Sequence, residues 1–249
     1  MALVGALIVL VTIVLILLFT RRIQSGRPVH VRAIPSLASL PSLAGKAVES
    51  GQTVHVSMGT AGVNDNRTIA TLAGLAVLDE LADKGCVYGS PPLVTVADPL
   101  LAAAAQDSLR QAFARHSRAD EHDPTRVEMV SPQPAIYALG ASSRLEADAT
   151  AANVMIGSFD TEALLLAGPV AQKGIPQVFG SDNPQAMALL VAVVDNPIIG
   201  EEIFAAPAYL QGRPAHLASL AAEDWVRLGI VALVLLSVLV HTLLGVSLF

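Results

Sequence analysis

A chain of 249 residues that is 53% hydrophobic and only 14% charged is too apolar for an ordinary soluble domain. Its formal net charge of −6 and 4% aromatic content argue against a nucleic-acid surface. The single cysteine, Cys86, excludes an internal disulfide and fits a reducing compartment.

The apolar excess sits at the two ends. Residues 2–20, "ALVGALIVLVTIVLILLFT", carry no charge, and neither do residues 228–249, "LGIVALVLLSVLVHTLLGVSLF". At 1.5 Å per residue each run reaches roughly 30 Å, the thickness of a bilayer's hydrocarbon core. No basic residue precedes the first run, and Arg21-Arg22 follows it directly. That order suits an uncleaved anchor better than a signal peptide. Arg21, Arg22 and Arg27 after the first run, with Arg227 before the second, place the middle of the chain in the cytoplasm. The expectation is a two-pass protein of the bacterial cytoplasmic membrane, both termini outside and Trp225 at the interface.

Between the runs, short β-branched stretches alternate with helical ones. The strand candidates are "PVHVRAI" (28–34), "TVHVSM" (53–58), "LVTVA" (93–97), "RVEMV" (126–130), "NVMIG" (153–157) and "PQVFG" (176–180). Segments such as "TIATLAGLAVLDELADKG" and "LLAAAAQDSLRQAFARH" stand between them with helical spacing. Such alternation predicts an α/β fold: a Rossmann-like, mostly parallel sheet of about six strands with helices on both faces. Membrane helices flank it. The expected organisation is an anchor over 1–22, the α/β domain over 23–194, a helical return segment over 195–225 and a second membrane helix over 226–249. The segment "SLASLPSLAGKAVESG" (36–51) is a weaker helix candidate, because Pro41 interrupts it.

In an open parallel sheet, ligands bind beyond the carboxyl ends of the strands. The loops there carry the candidate ligand-binding residues Gly59, Thr60, Gly62, Asp98, Gly157, Asp160 and Asp182. The glycine turn in "VHVSMGTAGVNDNRT" matches neither a Walker loop nor the dinucleotide fingerprint, which needs a third glycine. Asn64 or Asp65, Asp98, Ser131, Asp160, and Asp182 or Asn183 each suit a helix N-cap. Pro99, Pro132 and Pro184 suit the first helical position. A capping carboxylate occupies the N–H groups a phosphate would use, so the turn reads as structural. A magnesium held by Asp65, Asp98, Asp160 and Asp182 is the weaker reading of the same residues. Adjacent Glu201 and Glu202 diverge on a helix and suit a capping or pairing role better than acid–base catalysis. No catalytic residue, metal site or cofactor is assigned.

In the second apolar run Gly229, Ser237, His241 and Gly245 fall on one every-fourth-residue row, with Leu233 in its second place. Small and polar residues on such a row suit close packing against another membrane helix.

Together the flanking apolar runs, "HVRAIPSLASL", "TLAGLAVLDELA", "AANVMIGSFDTEALLLA" and "GEEIFAAPAYLQG" resemble an uncharacterised bacterial membrane-protein family, a domain of unknown function. The resemblance covers most of residues 28–225 and implies a bacterial membrane protein without assigning an activity. The function expected is a membrane-anchored α/β scaffold whose partners are the lipid bilayer and either itself or a membrane complex. The alternative is a membrane-attached protein or enzyme that binds a nucleotide or metabolite at the strand ends.

Overall fold

The computed structural model describes residues 2–26, 33–62, 67–212 and 214–244. The chain divides into two compact units, residues 1–32 with 212–249 and residues 33–211.

The first unit opens with α1 (Ala2–Gln24), which ends in Arg21 and Arg22. Thr12, Leu15, Ile16, Phe19, Thr20 and Ile23 are half-buried. Their three- and four-residue spacing makes one stripe along the helix.

The second unit begins at α2 (Pro35–Ser50), started by a proline at its first turn. Pro41 does not break it. Leu37, Leu40, Leu43, Ala44 and Ala47 are buried on one face, while Pro41 is exposed. Pro41 itself stands on the exposed side of the helix, so its ring displaces no core side chain. Gly51, left-handed at φ 65°, ends the helix.

The rest alternates: β1 (Thr53–Gly59), α3 (Thr68–Val87), β2 (Leu93–Val96), α4 (Pro99–Arg115), β3 (Val127–Met129), α5 (Pro134–Ala147), β4 (Thr150–Ser158), α6 (Ala163–Gln172), β5 (Gln177–Ser181), α7 (Pro184–Leu190), β6 (Asn196–Ile198) and α8 (Glu202–Gln211). All pairings are parallel, and the strand order is β3-β2-β1-β4-β5-β6. This is the doubly wound, Rossmann-like order, with direction reversing between β1 and β4. Right-handed crossovers put α3 and α4 on one face and α5, α6 and α7 on the other. The packing agrees: α3 meets α2, α4 and α8, while α6 meets α5 and α7.

Two strand expectations change. Of the candidate at 28–34, residues 28–32 lie outside the described residues, while Ala33 and Ile34 are irregular just before α2. The sixth strand is instead β6, within the segment expected to hold only helices and turns. Its Pro197 is tolerated because β6 pairs on one side alone, with β5.

Strand residues alternate between the two faces. Val54, Val56 and Met58 point towards α3, while Met155 and Phe179 join Tyr137, Phe159, Leu166 and Met187 in the core under α5, α6 and α7.

The chain then returns to the first unit through α9 (Pro214–Leu244), a single helix that runs on through Trp225 and Arg227 and packs beside α1. The expected membrane helices over 1–22 and 226–249 are not matched here: among the described residues, no helix is long and apolar enough to cross a membrane.

Candidate functional site

The reversal of strand order puts the end of β1 next to the end of β4, and each of these ends carries a glycine. Gly59 is left-handed at φ 81°, and a Cβ there would lie 1.9 Å from the Ser158 carbonyl oxygen. A Cβ on Gly157 would lie 2.0 Å from the Met58 carbonyl oxygen. Only glycine allows this approach, which the Thr60 amide closes by donating to the Ser158 carbonyl at 2.9 Å. A third glycine acts from α3. A Cβ on Gly74 would stand 2.3 Å from the Ile156 carbonyl oxygen, so α3 rests directly on β4.

Beyond the turn lies a cluster of polar side chains. Arg67, at the start of α3, donates from Nη1 to Ser158 Oγ and Asp160 Oδ1, both at 3.2 Å, and from Nη2 to Asp160 Oδ1 at 3.3 Å. Asn183 Nδ2 donates to the same oxygen at 2.9 Å. Asp160 is therefore not a helix cap. Its backbone carbonyl accepts from the Ala163 amide and makes the turn, which leaves its carboxylate to tie the loops after β1, β4 and β5 together. Both partners of the ion pair are about a third exposed (35% each), so solvent screens much of its attraction.

The other cap expectations divide. Asp98 caps α4, accepting from the Leu101 amide at 2.9 Å with Pro99 behind it. Its second oxygen lies 2.8 Å from where a Cβ on Gly62 would stand. At α7 the cap is Asn183, which accepts from the Gln185 amide at 2.9 Å, rather than Asp182. Ser131 accepts from the Gln133 amide at 3.2 Å, but α5 starts later, at Pro134 rather than Pro132. Asn64 and Asp65 lie outside the described residues. Glu202 Oε2 accepts from the Ile199 amide at 3.4 Å, at the start of α8.

The structure thus brings Gly59, Thr60, Gly157 and Asp160 together and pairs Gly62 with Asp98. Asp182 borders a separate cleft with Ser181, Met187 and Ile199. Under the turn, Thr60, Tyr137, Phe159, Asp160 and Glu162 line a crevice of about 10 Å³, room for roughly one water molecule. Among the described residues, no group of three His, Cys, Asp or Glu side chains is placed to hold a metal ion. On α9, Gly229 and His241 are exposed and Ser237 is half-buried; Gly245 lies outside the described residues.

Sequence reasoning missed a buried polar chain that crosses the sheet beneath this site. His55 on β1 lies between Asn153 on β4 (Nδ1 to Oδ1, 2.8 Å) and Thr95 on β2 (Nε2 to Oγ1, 3.0 Å). Asn153 Nδ2 donates to Gln177 Oε1 at 3.1 Å, and Gln177 Nε2 donates to the Ala167 carbonyl at 3.0 Å. Because Asn153 uses its amide hydrogen on Gln177, its oxygen accepts, so His55 carries its proton on Nδ1 and accepts from Thr95 on Nε2. The Tyr137 hydroxyl donates to the Thr95 carbonyl at 2.8 Å and meets Ser57 Oγ at 2.7 Å. Burial pushes the His55 pKa down to about 4, against the opposing pull of its bond to Asn153. Burial likewise raises Tyr137, offset in part by Ser57 and Thr95. The signal was present as polar residues at alternate positions in "VHVSMG" and "LVTVA". A sheet covered on both faces has no wet side for them, so they had to pair with one another.

Nearly the whole chain, residues 2–248, matches the domain of unknown function DUF6754. The protein belongs to the DUF6754 family. No curated protein and no solved structure matches it. Membership in DUF6754 assigns no activity to the glycine turn, the Arg67–Asp160–Asn183 cluster or the buried chain.

Proposed function

We propose that this DUF6754 protein is a membrane-anchored assembly module. Helices α1 and α9 lie in the bilayer, hold the α/β domain at its surface and provide contacts for self-association or for joining a membrane complex. The observation that carries the reading is the aliphatic surface these helices leave uncovered. In α1, Val9, Leu10, Leu17 and Leu18 are 57–60% exposed, and in α9 Leu228 and Leu235 are each 65% exposed. Facing water, each such side chain forgoes part of the roughly 1.5–3 kcal/mol that full burial gives; facing lipid, it does not. Arg21, Arg22, Arg227 and Trp225 are exposed beside the apolar runs, and the positive-inside rule reads such basic flanks as cytoplasmic. These flanks support a two-pass arrangement with the domain inside and both termini outside, in the bacterial inner membrane that the resemblance read from the sequence implies.

Gly229 tests the assembly. Nothing stands within 4 Å of where its Cβ would be, so a larger side chain there meets nothing described in its own chain. Gly229→Leu is expected to dissociate the detergent-extracted protein towards monomer in native mass spectra, while Val231→Leu leaves it assembled. A monomeric wild type, or equal behaviour of the two variants, would contradict the reading.

A second reading, a nucleotide or metabolite bound at the strand ends, is favoured by one observation. The glycine turn stands where the strand order reverses. Against it, Asp160 and Arg67 already satisfy each other, and Asp98 is engaged as a cap. A retained ligand would add mass in the same spectra.

A further inference from the structure

We propose that the cleft at the carboxyl ends of β5 and β6 binds a small primary amine with an apolar body. It holds about 360 Å³, within the range of small-molecule sites. Met187, Ala188 and Val191 form one wall and Ile199 the other, with Ser181 and Asp182 at the strand end. Aliphatic walls select an apolar body, and the single carboxylate selects its charge.

Among the described residues, Asp182 carries no structural task that competes. The cap of α7 is Asn183, and the loop tie is Asp160. Its described hydrogen bond is a long one, 3.5 Å from the Ser181 hydroxyl. The Ser181 hydroxyl itself is held by the backbone of Phe159 and Asn183, at 3.1–3.2 Å. The end of the cleft is therefore fixed before any ligand arrives. Among the described residues, no basic side chain lines the cleft, so an anion finds no partner among them. Nor, among the described residues, does an aromatic ring line it, so they offer no cation–π cage for a quaternary ammonium. An –NH3⁺ group, with N–H donors for the carboxylate, matches what is present.

Three probes share one body and differ in charge: 2-phenylethylamine, 2-phenylethanol and phenylacetate. Each is titrated calorimetrically into the full chain held in zwitterionic lipid nanodiscs. The amine is expected to bind saturably at one site, the alcohol about tenfold more weakly and phenylacetate not at all. Asp182→Asn should bring the amine down to the level of the alcohol. Ala188→Phe, at an exposed helix position, should fill the cleft and abolish both. Equal binding of amine and alcohol, amine affinity that survives either variant, or only unsaturable uptake up to about 10 mM would overturn the proposal.

Discussion

At His55, a group able to carry charge sits fully buried at the centre of a sheet, where the two neighbouring strands, β4 and β2, each supply a partner, Asn153 and Thr95. The arrangement suits neutral imidazole alone. A protonated ring would turn Nε2 from acceptor to donor and bury an unmatched charge. With a folded pKa of about 4 against an unfolded value near 6.5, the unfolded chain binds the extra proton first. The stability tied to neutral His55 is complete above about pH 6.5 and is lost as pH falls towards 4, by on the order of 3 kcal/mol. His55→Gln removes the titrating ring. The wild type is therefore expected to lose thermal midpoint more steeply than His55→Gln between pH 7 and pH 4.5, in the same detergent. Parallel curves for the two proteins would place the acid sensitivity elsewhere.

Single residues also mark what could be read in advance. Asp98 was legible as a cap because its partner, the Leu101 amide, lies three positions on, next to a proline that pre-sets the helix. Asp160 looked the same in sequence. Its partners, Arg67 and Asn183, are 93 and 23 positions away, and only the closed sheet brings them within reach. Local chemistry writes itself into local sequence; the site at the strand ends depends on contacts across the sheet.

Among elements, β1, β2, β4 and β5 were legible because buried parallel strands need β-branched runs between helix caps. The strand β6 was not, since three residues that include Pro197 carry no such run. The helix α2 was doubted because Pro41 is damaging in a buried turn, and its exposure was invisible beforehand. Packing distance was equally hidden. Gly45 in α2 and Gly74 in α3 are both mid-helix glycines, yet only Gly74 touches a strand. A Cβ at Gly45 meets nothing within 4 Å, so Gly45→Ala is expected to stabilise by up to about 1 kcal/mol through helix propensity. At Gly74 the added carbon would stand 2.3 Å from the Ile156 carbonyl oxygen, forcing α3 off β4. Gly74→Ala should destabilise by roughly 1–3 kcal/mol. Denaturant midpoints of the two variants check the pair, and similar shifts in both would contradict the close helix–sheet contact.

For the whole molecule, the two units differ in how they satisfy their apolar residues. The α/β unit encloses a core in which Phe179, Met155, Leu37 and Leu40 are essentially without exposure, although Ile69, Leu139 and Ile199 stay on its surface. Along the paired helices Val and Leu side chains stand uncovered, with no covering among the described residues. We propose lipid as that covering, and its sidedness can be measured with cysteine chemistry. The natural background is low, because Cys86 is buried and its thiol is pushed up to about 11, chiefly by that burial. The decisive measurement is labelling of single-cysteine variants of Cys86→Ala in intact cells by a membrane-impermeant maleimide, before and after lysis. Cysteine at exposed Ser143 in the α/β unit should react only after lysis, and cysteine at the N-terminal Ala2 should react before it. A residue 143 cysteine labelled in intact cells, or a chain recovered in the soluble fraction after lysis without detergent, would contradict the account.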